Sequence, residues 1–150
     1  MTKLVIFDWY GTLQDGDIGL FPDSLRTLQE LEEKKISVGL ISKTSNREKA
    51  EREVMSAGLA KFFNPNNSFF TFEKNPNQFL YLMHHYSTDN RNTLVVGDRA
   101  AENREIHIGN QLRCSTYWIQ RGLHAQELPN ENVGQPTRII STVSEILKYI

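Results

Sequence analysis

Of the 150 residues only one, Cys114, is a cysteine, so no disulfide can close within the chain. A single thiol fits a reducing compartment better than a secreted scaffold, and the cytoplasm is the expected location. Long apolar runs are also missing: no stretch approaches the ~20 residues that cross a bilayer. The N-terminal MTKLVIFDWYGTL carries one lysine and a short apolar run that meets Asp8 before a signal-peptide core is complete, so no secretory leader is expected. Charge of one sign is lacking too. Lys and Arg number 17 against 18 Asp and Glu, a formal charge of -1, and no global field draws in nucleic acid or an anionic membrane. An anionic ligand needs a local cationic site. Repeats and low-complexity tracts are absent, and the loop-like stretches Asn64 to Asn67 and Leu128 to Pro136 do not separate segments that each carry a core.

What is present is the balance of one compact domain over residues 1–150, with 39% hydrophobic and 23% charged residues. Leu4 to Phe7 is an unbroken apolar run of the kind found in a strand covered on both faces. From Pro22 or Asp23, Leu25, Leu28 and Leu31 recur on one helical face, with the helix ending near Lys35. Ile36 to Ile41 reads as a second strand. Ser45 and Glu48 have capping-box spacing for a helix that runs to about Gly58. Further on, Ser68 to Phe72, Thr93 to Val96, Ser115 to Ile119 and Arg138 to Ile140 read as strands. Asn77 to Tyr86 and Glu102 to Leu112 read as helices, and Thr142 with Glu145 repeats the capping-box spacing before a last one. Strands alternating with amphipathic helices predict an α/β fold with a central parallel sheet between two helical layers. Such sheets bind ligands at the carboxyl ends of their strands.

Three polar residues follow or end predicted strands: Asp8 after Leu4 to Phe7, Ser42 after Ile36 to Ile41, and Asp98 after Thr93 to Gly97. A parallel sheet brings all three to one edge. Taken singly, each is also what a turn or helix cap uses.

The residues around them resemble the four motifs of the haloacid dehalogenase-like hydrolase superfamily. LVIFDWYGTL is similar to its first motif, a hydrophobic strand followed by Asp-x-Asp-Gly-Thr, with Asp8 at the nucleophile position and Gly11, Thr12 and Leu13 intact. VGLIS, ending in Ser42, resembles the second. EKNPNQF, with Lys74, resembles the third, and TLVVGDRAAENREIHIGN, with Asp98, the fourth. Order and spacing agree along nearly the whole chain. The resemblance implies a HAD-like, Rossmann-like three-layer sandwich without a sizeable cap. It also implies a magnesium-dependent phosphohydrolase working through a phospho-aspartate on Asp8, with Ser42 and Lys74 as its other catalytic residues.

A carboxylate that attacks phosphorus repels the phosphate unless positive charge offsets both, so such a site needs a metal, a lysine and backbone amides around one Asp. Asp8 and Asp98 offer the hard oxygens magnesium prefers. The resemblance adds the backbone carbonyl of Tyr10 as a third ligand and places Tyr10, Gly11, Thr12, Ser42, Lys43 and Lys74 around the phosphate. The second acid of the fourth motif, which holds a metal-bound water, is read as Glu102, at the four-residue offset from Asp98. Glu105 is the alternative when one counts back from Ile108-Gly109-Asn110. Acids at that point also suit an exposed helix N-terminus.

Tyr10 departs from the family pattern. Phosphatase members carry an Asp there as general acid and base, and such help is worth roughly 10²–10⁴-fold. A phenol, with a reference pKa of about 10, replaces it poorly near neutral pH. The departure implies a preference for phosphates with good leaving groups. It also opens an alternative, a weakly active or inactive relative that binds phosphate and metal as an interaction module. Asp-x-Tyr-Gly-Thr-Leu further resembles the 2-haloacid dehalogenases, whose halide leaves without a proton. Those enzymes insert a helical cap between the first and second motifs, whereas Leu13 to Ile36 has room for a loop and one helix.

Other residues carry weaker readings. Lys43 and Arg99 are candidate substrate contacts or exposed loop charges, and Trp9 is either a pocket wall or core. His84 and His85 are adjacent on a predicted helix and diverge, unlike a metal-binding i, i+4 pair. Cys114 is expected in the core. The expected partner is a small phosphorylated metabolite or a phosphorylated macromolecule, with no membrane or nucleic acid. An open site edge also suits a homo-oligomer whose neighbour covers it.

Overall fold

In the computed structural model, which describes residues 1–16 and 18–150, the apolar run Leu4–Phe7 forms strand β1, buried along its whole length. Alternation divides it between two cores: Val5 and Phe7 face one, Leu4 and Ile6 the other. A hairpin of β2 (Gln14–Asp15) and β3 (Gly19–Leu20) follows. Helix α1 (Ser24–Glu33), strand β4 (Ser37–Lys43), helix α2 (Arg47–Ser56), strand β5 (Ser68–Thr71) and helix α3 (Pro76–His85) come next. Strand β6 (Thr93–Gly97), helix α4 (Glu105–Gln111) and strands β7 (Ser115–Ile119) and β8 (Arg138–Ile140) complete the main elements. A 3-10 helix, Val143–Lys148, stands where the last helix was expected.

The six-stranded sheet is parallel throughout, in the order β5-β4-β1-β6-β7-β8. Leu28 and Leu31 of α1, Val54 of α2, and Val143 and Ile146 pack on one face with Phe7, Leu40 and Val96. Phe79, Leu82 and Met83 of α3 and Ile108 of α4 pack on the other with Ile6, Ile41 and Val95. Each such side chain contributes about 1.5–3 kcal/mol by leaving water. These are the two helical layers expected from the alternating pattern. No cap is inserted: between β1 and β4 the described residues form only the small hairpin and α1. Among the described residues no helix is long and apolar enough to cross a membrane.

Several element ends differ from expectation, each for a local reason. In α1 the buried face is Ser24, Thr27, Leu28 and Leu31, and Leu25 is exposed. Helix α2 is capped by Asn46, whose carboxamide oxygen accepts the Lys49 amide at 3.1 Å, so Ser45 with Glu48 does not form the capping box. Thr44 takes the turn before it, its hydroxyl accepting the Asn46 amide. Gly58 ends that helix in a left-handed conformation, φ +77°. Helix α4 begins three residues later than Glu102, because Asn103 is left-handed, φ +61°, and Arg104 is extended. Strand β4 runs on through Ser42 to Lys43, paired with Phe70 and Thr71 of β5, so Ser42 lies in the strand.

Candidate active site

The sheet order sets β1 between β4 and β6, so the carboxyl ends of these three strands meet. Asp8 follows β1, Ser42 lies near the end of β4, and Asp98 follows β6. Lys74 reaches in from the β5–α3 loop, where Asn75 and Gln78 form a capping box that fixes the start of α3. Its side chain is 0% exposed. Nζ donates to Asp8 Oδ1 and to Glu105 Oε2, both at 2.8 Å. Glu105 Oε1 accepts the Arg99 amide at 3.0 Å, and Trp118 Nε1 donates to the Asp98 carbonyl at 2.9 Å. The backbone on either side is held as tightly, since the Asp8 amide donates to Val96.

Two glycines make room for the acids. At Gly11, φ +81°, a Cβ would collide with the Asp98 carboxylate, and at Gly97 one would collide with Glu105. In the tight turn after Asp8, the Trp9 carbonyl accepts the amides of Thr12, Leu13 and Gln14. Among the described residues no amide donates to the Tyr10 carbonyl. Arg121 braces this turn from the loop after β7, donating to the Thr12 carbonyl at 2.9 Å with its guanidinium 3.4 Å over the Phe21 ring.

Ligand atoms of Asp8, Asp98 and Glu105 lie within 4.8 Å of one another. Burial opposes the charge on Asp8, but Lys74 and then Arg104 hold its carboxyl below the usual range. Burial likewise works against the Lys74 charge, and Asp8 with Glu105 outweighs it, raising its pKa. Glu105 is pushed up by burial and by Asp8 in spite of Lys74. Burial, with Asp8 and Glu105 nearby, pushes Asp98 up to about 9. Three acids around one buried lysine therefore carry more negative charge than the pocket stabilises. Hard oxygens in excess, with Asp98 Oδ1 buried and unpartnered, suit a divalent cation of the magnesium type. Ser42 Oγ and Thr12 Oγ1 are buried and unpartnered as well.

The structure thus gathers Asp8, Gly11, Thr12, Ser42, Lys74 and Asp98 at one place. Lys43 lies exposed on the wall of the same cleft. Glu102 does not join them and is corrected here. It is exposed, its carboxylate accepting from Asn130 and Asn132, while Glu105 occupies the position next to Asp8 and Asp98. The left-handed Asn103 turns the chain between them. Tyr10 lines the cleft near Glu53 of α2, and burial together with that carboxylate raises the phenol pKa above the ordinary value. Trp9 is fully buried and donates to the same Glu53 at 3.4 Å. Cys114 is buried in the second core, its thiol pushed up to about 12.

The cleft above these groups has a volume of about 380 Å³. Arg99, Arg104 and His124 line it on the β6–β7 side, and Lys43, Thr44, Ser45 and Phe72 on the β4–β5 side. Arg104 and His124 were not singled out from sequence. The only local signal for Arg104 was its place beside Asn103, a residue type that readily turns left-handed.

Solved structures share this architecture. An L-2-haloacid dehalogenase from Xanthobacter autotrophicus superposes with a TM-score of 0.75 at 12% identity, covering 99% of this chain and 98% of that one. A D,D-heptose 1,7-bisphosphate phosphatase from B. bronchiseptica, complexed with magnesium and phosphate, gives 0.74 at 19% identity over 98% and 97%. A 2-haloacid dehalogenase from Pseudomonas syringae pv. tomato gives 0.75 at 15% identity over 99% and 97%. No curated protein matches by sequence. At these identities the structural likeness establishes the fold, and the neighbours include two chemistries on it. The sequence profile goes further, because it spans residues 1–118 and so contains every residue gathered around Lys74. The chain belongs to the haloacid dehalogenase-like hydrolase family.

Proposed function

We propose that this hydrolase is a phosphohydrolase that transfers the phosphoryl group to Asp8 and depends on magnesium. The observation that carries this reading is the buried Lys74, shared at 2.8 Å between Asp8 and Glu105 beside a third carboxylate. Lys74 keeps Asp8 ionised, so its free oxygen is a ready nucleophile. That oxygen bonds to phosphorus as the bond to the leaving oxygen breaks. Water then attacks the phospho-aspartate, freeing phosphate and restoring Asp8. Ser42 Oγ, buried with no protein partner, donates to a phosphate oxygen. Asp8, Asp98 and the Tyr10 carbonyl would hold Mg²⁺, with Glu105 reaching it through water, and the ion would supply charge neutralisation and orientation.

Tyr10 offers no acid for the leaving group, because burial and the nearby Glu53 carboxylate make its phenol harder to ionise than a free one. The substrate therefore carries a good leaving group, an acyl or aryl phosphate. Without a cap the cleft is open to a small phosphorylated metabolite or to a phosphorylated macromolecule. A dehalogenase reading has less support, since among the described residues no helical cap lies between β1 and β4 to enclose an apolar acid.

The test is hydrolysis of an aryl phosphate with and without magnesium, with Asp8→Asn as control. Activity should need both, the variant losing on the order of 10⁴-fold. Activity no higher than the control would favour the second reading that Tyr10 supports, a phosphate- and metal-binding interaction module. Tyr10→Asp separates the two further: a competent site should gain up to roughly 10²–10⁴-fold on alkyl phosphates.

A further inference from the structure

The cleft holds a cation that the chemistry on one phosphoryl group does not use. Lys74 is committed at its floor to Asp8 and Glu105. Above it, the neighbouring ends of β6 and β7 build one wall that presents Arg99, Arg104 and His124. A chain with a net charge of -1 has no general surplus of cations, so this grouping is local.

The wall is also preorganised. Glu127 grips Arg99 in a two-pronged pair, Nε to Oε1 at 2.9 Å and Nη2 to Oε2 at 3.0 Å. The same carboxylate accepts the amides of Ala100 and Ala101, and His124 Nδ1 lies 3.6 Å from it. One acid thus fixes the loop and the arginine together, with the imidazole alongside. Arg104 differs. Its side chain is only 14% exposed, its Nε is buried without a hydrogen-bond partner, and the carboxylate nearest to it, Glu105, is 3.8 Å away and already engaged by Lys74 and the Arg99 amide. A largely desolvated guanidinium with no acceptor is costly, and its planar fork matches an oxyanion.

We propose that Arg104, flanked by Arg99 and His124, is a second anion subsite. The substrate is then a small organic phosphate whose departing group carries an oxyanion of its own, a carboxylate or a second phosphate. A cleft of about 380 Å³ suits a small molecule. The proposal rests on the phosphohydrolase reading for its turnover arm. Remote binding of this kind is where a site lacking a general acid gains catalytic power, by holding the leaving group in line as it departs.

The experiment compares three substrates: 4-carboxyphenyl phosphate, its neutral match 4-carbamoylphenyl phosphate, and 1,4-phenylene bisphosphate. The two anionic substrates should exceed the neutral one in kcat/KM by at least about tenfold. The larger of the two preferences identifies the oxyanion. In Arg104→Gln the anionic-to-neutral ratio should fall to about 1, and Arg104→Lys should restore part of it. This ratio is read within one preparation, so a loss of folded protein does not imitate it. Equal kcat/KM for all three on the native protein would overturn the subsite and leave the phosphohydrolase reading intact. No hydrolysis of any would overturn the phosphohydrolase reading, and calorimetry then decides the subsite: 4-phosphonobenzoate should bind about tenfold tighter than phenylphosphonate, and Arg104→Gln should erase the difference. Equal affinities would overturn it.

Discussion

The two ends of the sheet bury polar groups to the same depth and treat them in opposite ways. At the amino ends of β4 and β5, Asn67 is 2% exposed and every polar atom of its side chain is used. Nδ2 donates to the carbonyls of Val38 and Phe62 and lies 3.0 Å from the Tyr86 hydroxyl, while Oδ1 accepts from the Asn64 amide. At the carboxyl ends, three carboxylates crowd one lysine, and Ser42 Oγ, Thr12 Oγ1 and Asp98 Oδ1 have no partner. A buried polar group without a partner is normally removed from a core because it destabilises the fold. Around Asn67 satisfied burial serves the fold, and the clustered unsatisfied burial around Asp8, unlike the isolated Thr88 hydroxyl between α3 and β6, fits a ligand.

The largest effect should come from Lys74→Met. It leaves Asp8 and Glu105 buried without their cation, which costs about 3–5 kcal/mol, and it abolishes turnover. Denaturant unfolding in the absence of metal reads the first effect; a loss below about 1 kcal/mol would mean the pair is not the keystone of that end. Asn67→Leu breaks the other end. Two carbonyls lose their donor, each worth about 1–3 kcal/mol when left unsatisfied, while kcat per folded molecule should not change. A variant with native stability but reduced kcat would reverse the assignment of the two ends.

A pH series sharpens the contrast, because among the described residues only the carboxyl end holds displaced ionisations of carboxyl groups. Asp98 moves from 3.8 when unfolded to about 9 when folded. Between those values the native state keeps a proton that the unfolded chain releases, so ΔG of unfolding falls as pH rises, by at most about 1.4 kcal/mol per pH unit for one proton. Glu105, also raised, has the same sign. Asp8, lowered, adds stability that is lost only in acid below its unfolded value of 3.8. The stabilisation from the raised Lys74 is complete throughout this window, since it fades only above the unfolded lysine value of 10.5. The metal-free protein should therefore melt lower at about pH 8 than at about pH 5.5, and magnesium should raise Tm more at the higher pH. Equal shifts at both would count against a cation between Asp8 and Asp98.

Most of the carboxyl end was legible in the sequence because its residues sit at strand ends. An apolar run such as Leu4 to Phe7 marks a strand to the residue, and the polar residue after it marks the edge. The choice between Glu102 and Glu105 was not legible in the same way. Both are acids near a predicted helix start, and only the left-handed turn at Asn103 decides which faces Asp8. Glu127 lies 28 residues from Arg99 in the chain, so no local pattern announces their pairing. The β2–β3 hairpin has two residues in each strand, too few for an alternation to register. Asn67 was seen only as part of a loop, because the burial of a loop asparagine depends on what packs over it.

The smallest change is the sharpest test of what unsatisfied burial means. Ser42 is fully buried and its hydroxyl has no partner, although it lies in β4 with Phe70 of β5 alongside. If the hydroxyl served the fold, removing it would destabilise the protein. Since it bonds to nothing there, Ser42→Ala deletes a desolvated polar atom and should leave stability within about 1 kcal/mol, or raise it. In the proposed site its partner is a phosphate oxygen, and a hydrogen bond to a charged group is worth about 1.5–3 kcal/mol, so kcat/KM for an aryl phosphate should fall roughly 10- to 10²-fold. Denaturant unfolding and steady-state kinetics on the same preparation read both quantities. Lower stability with unchanged kcat/KM would move Ser42 to the side of Asn67, as a residue the fold keeps for itself.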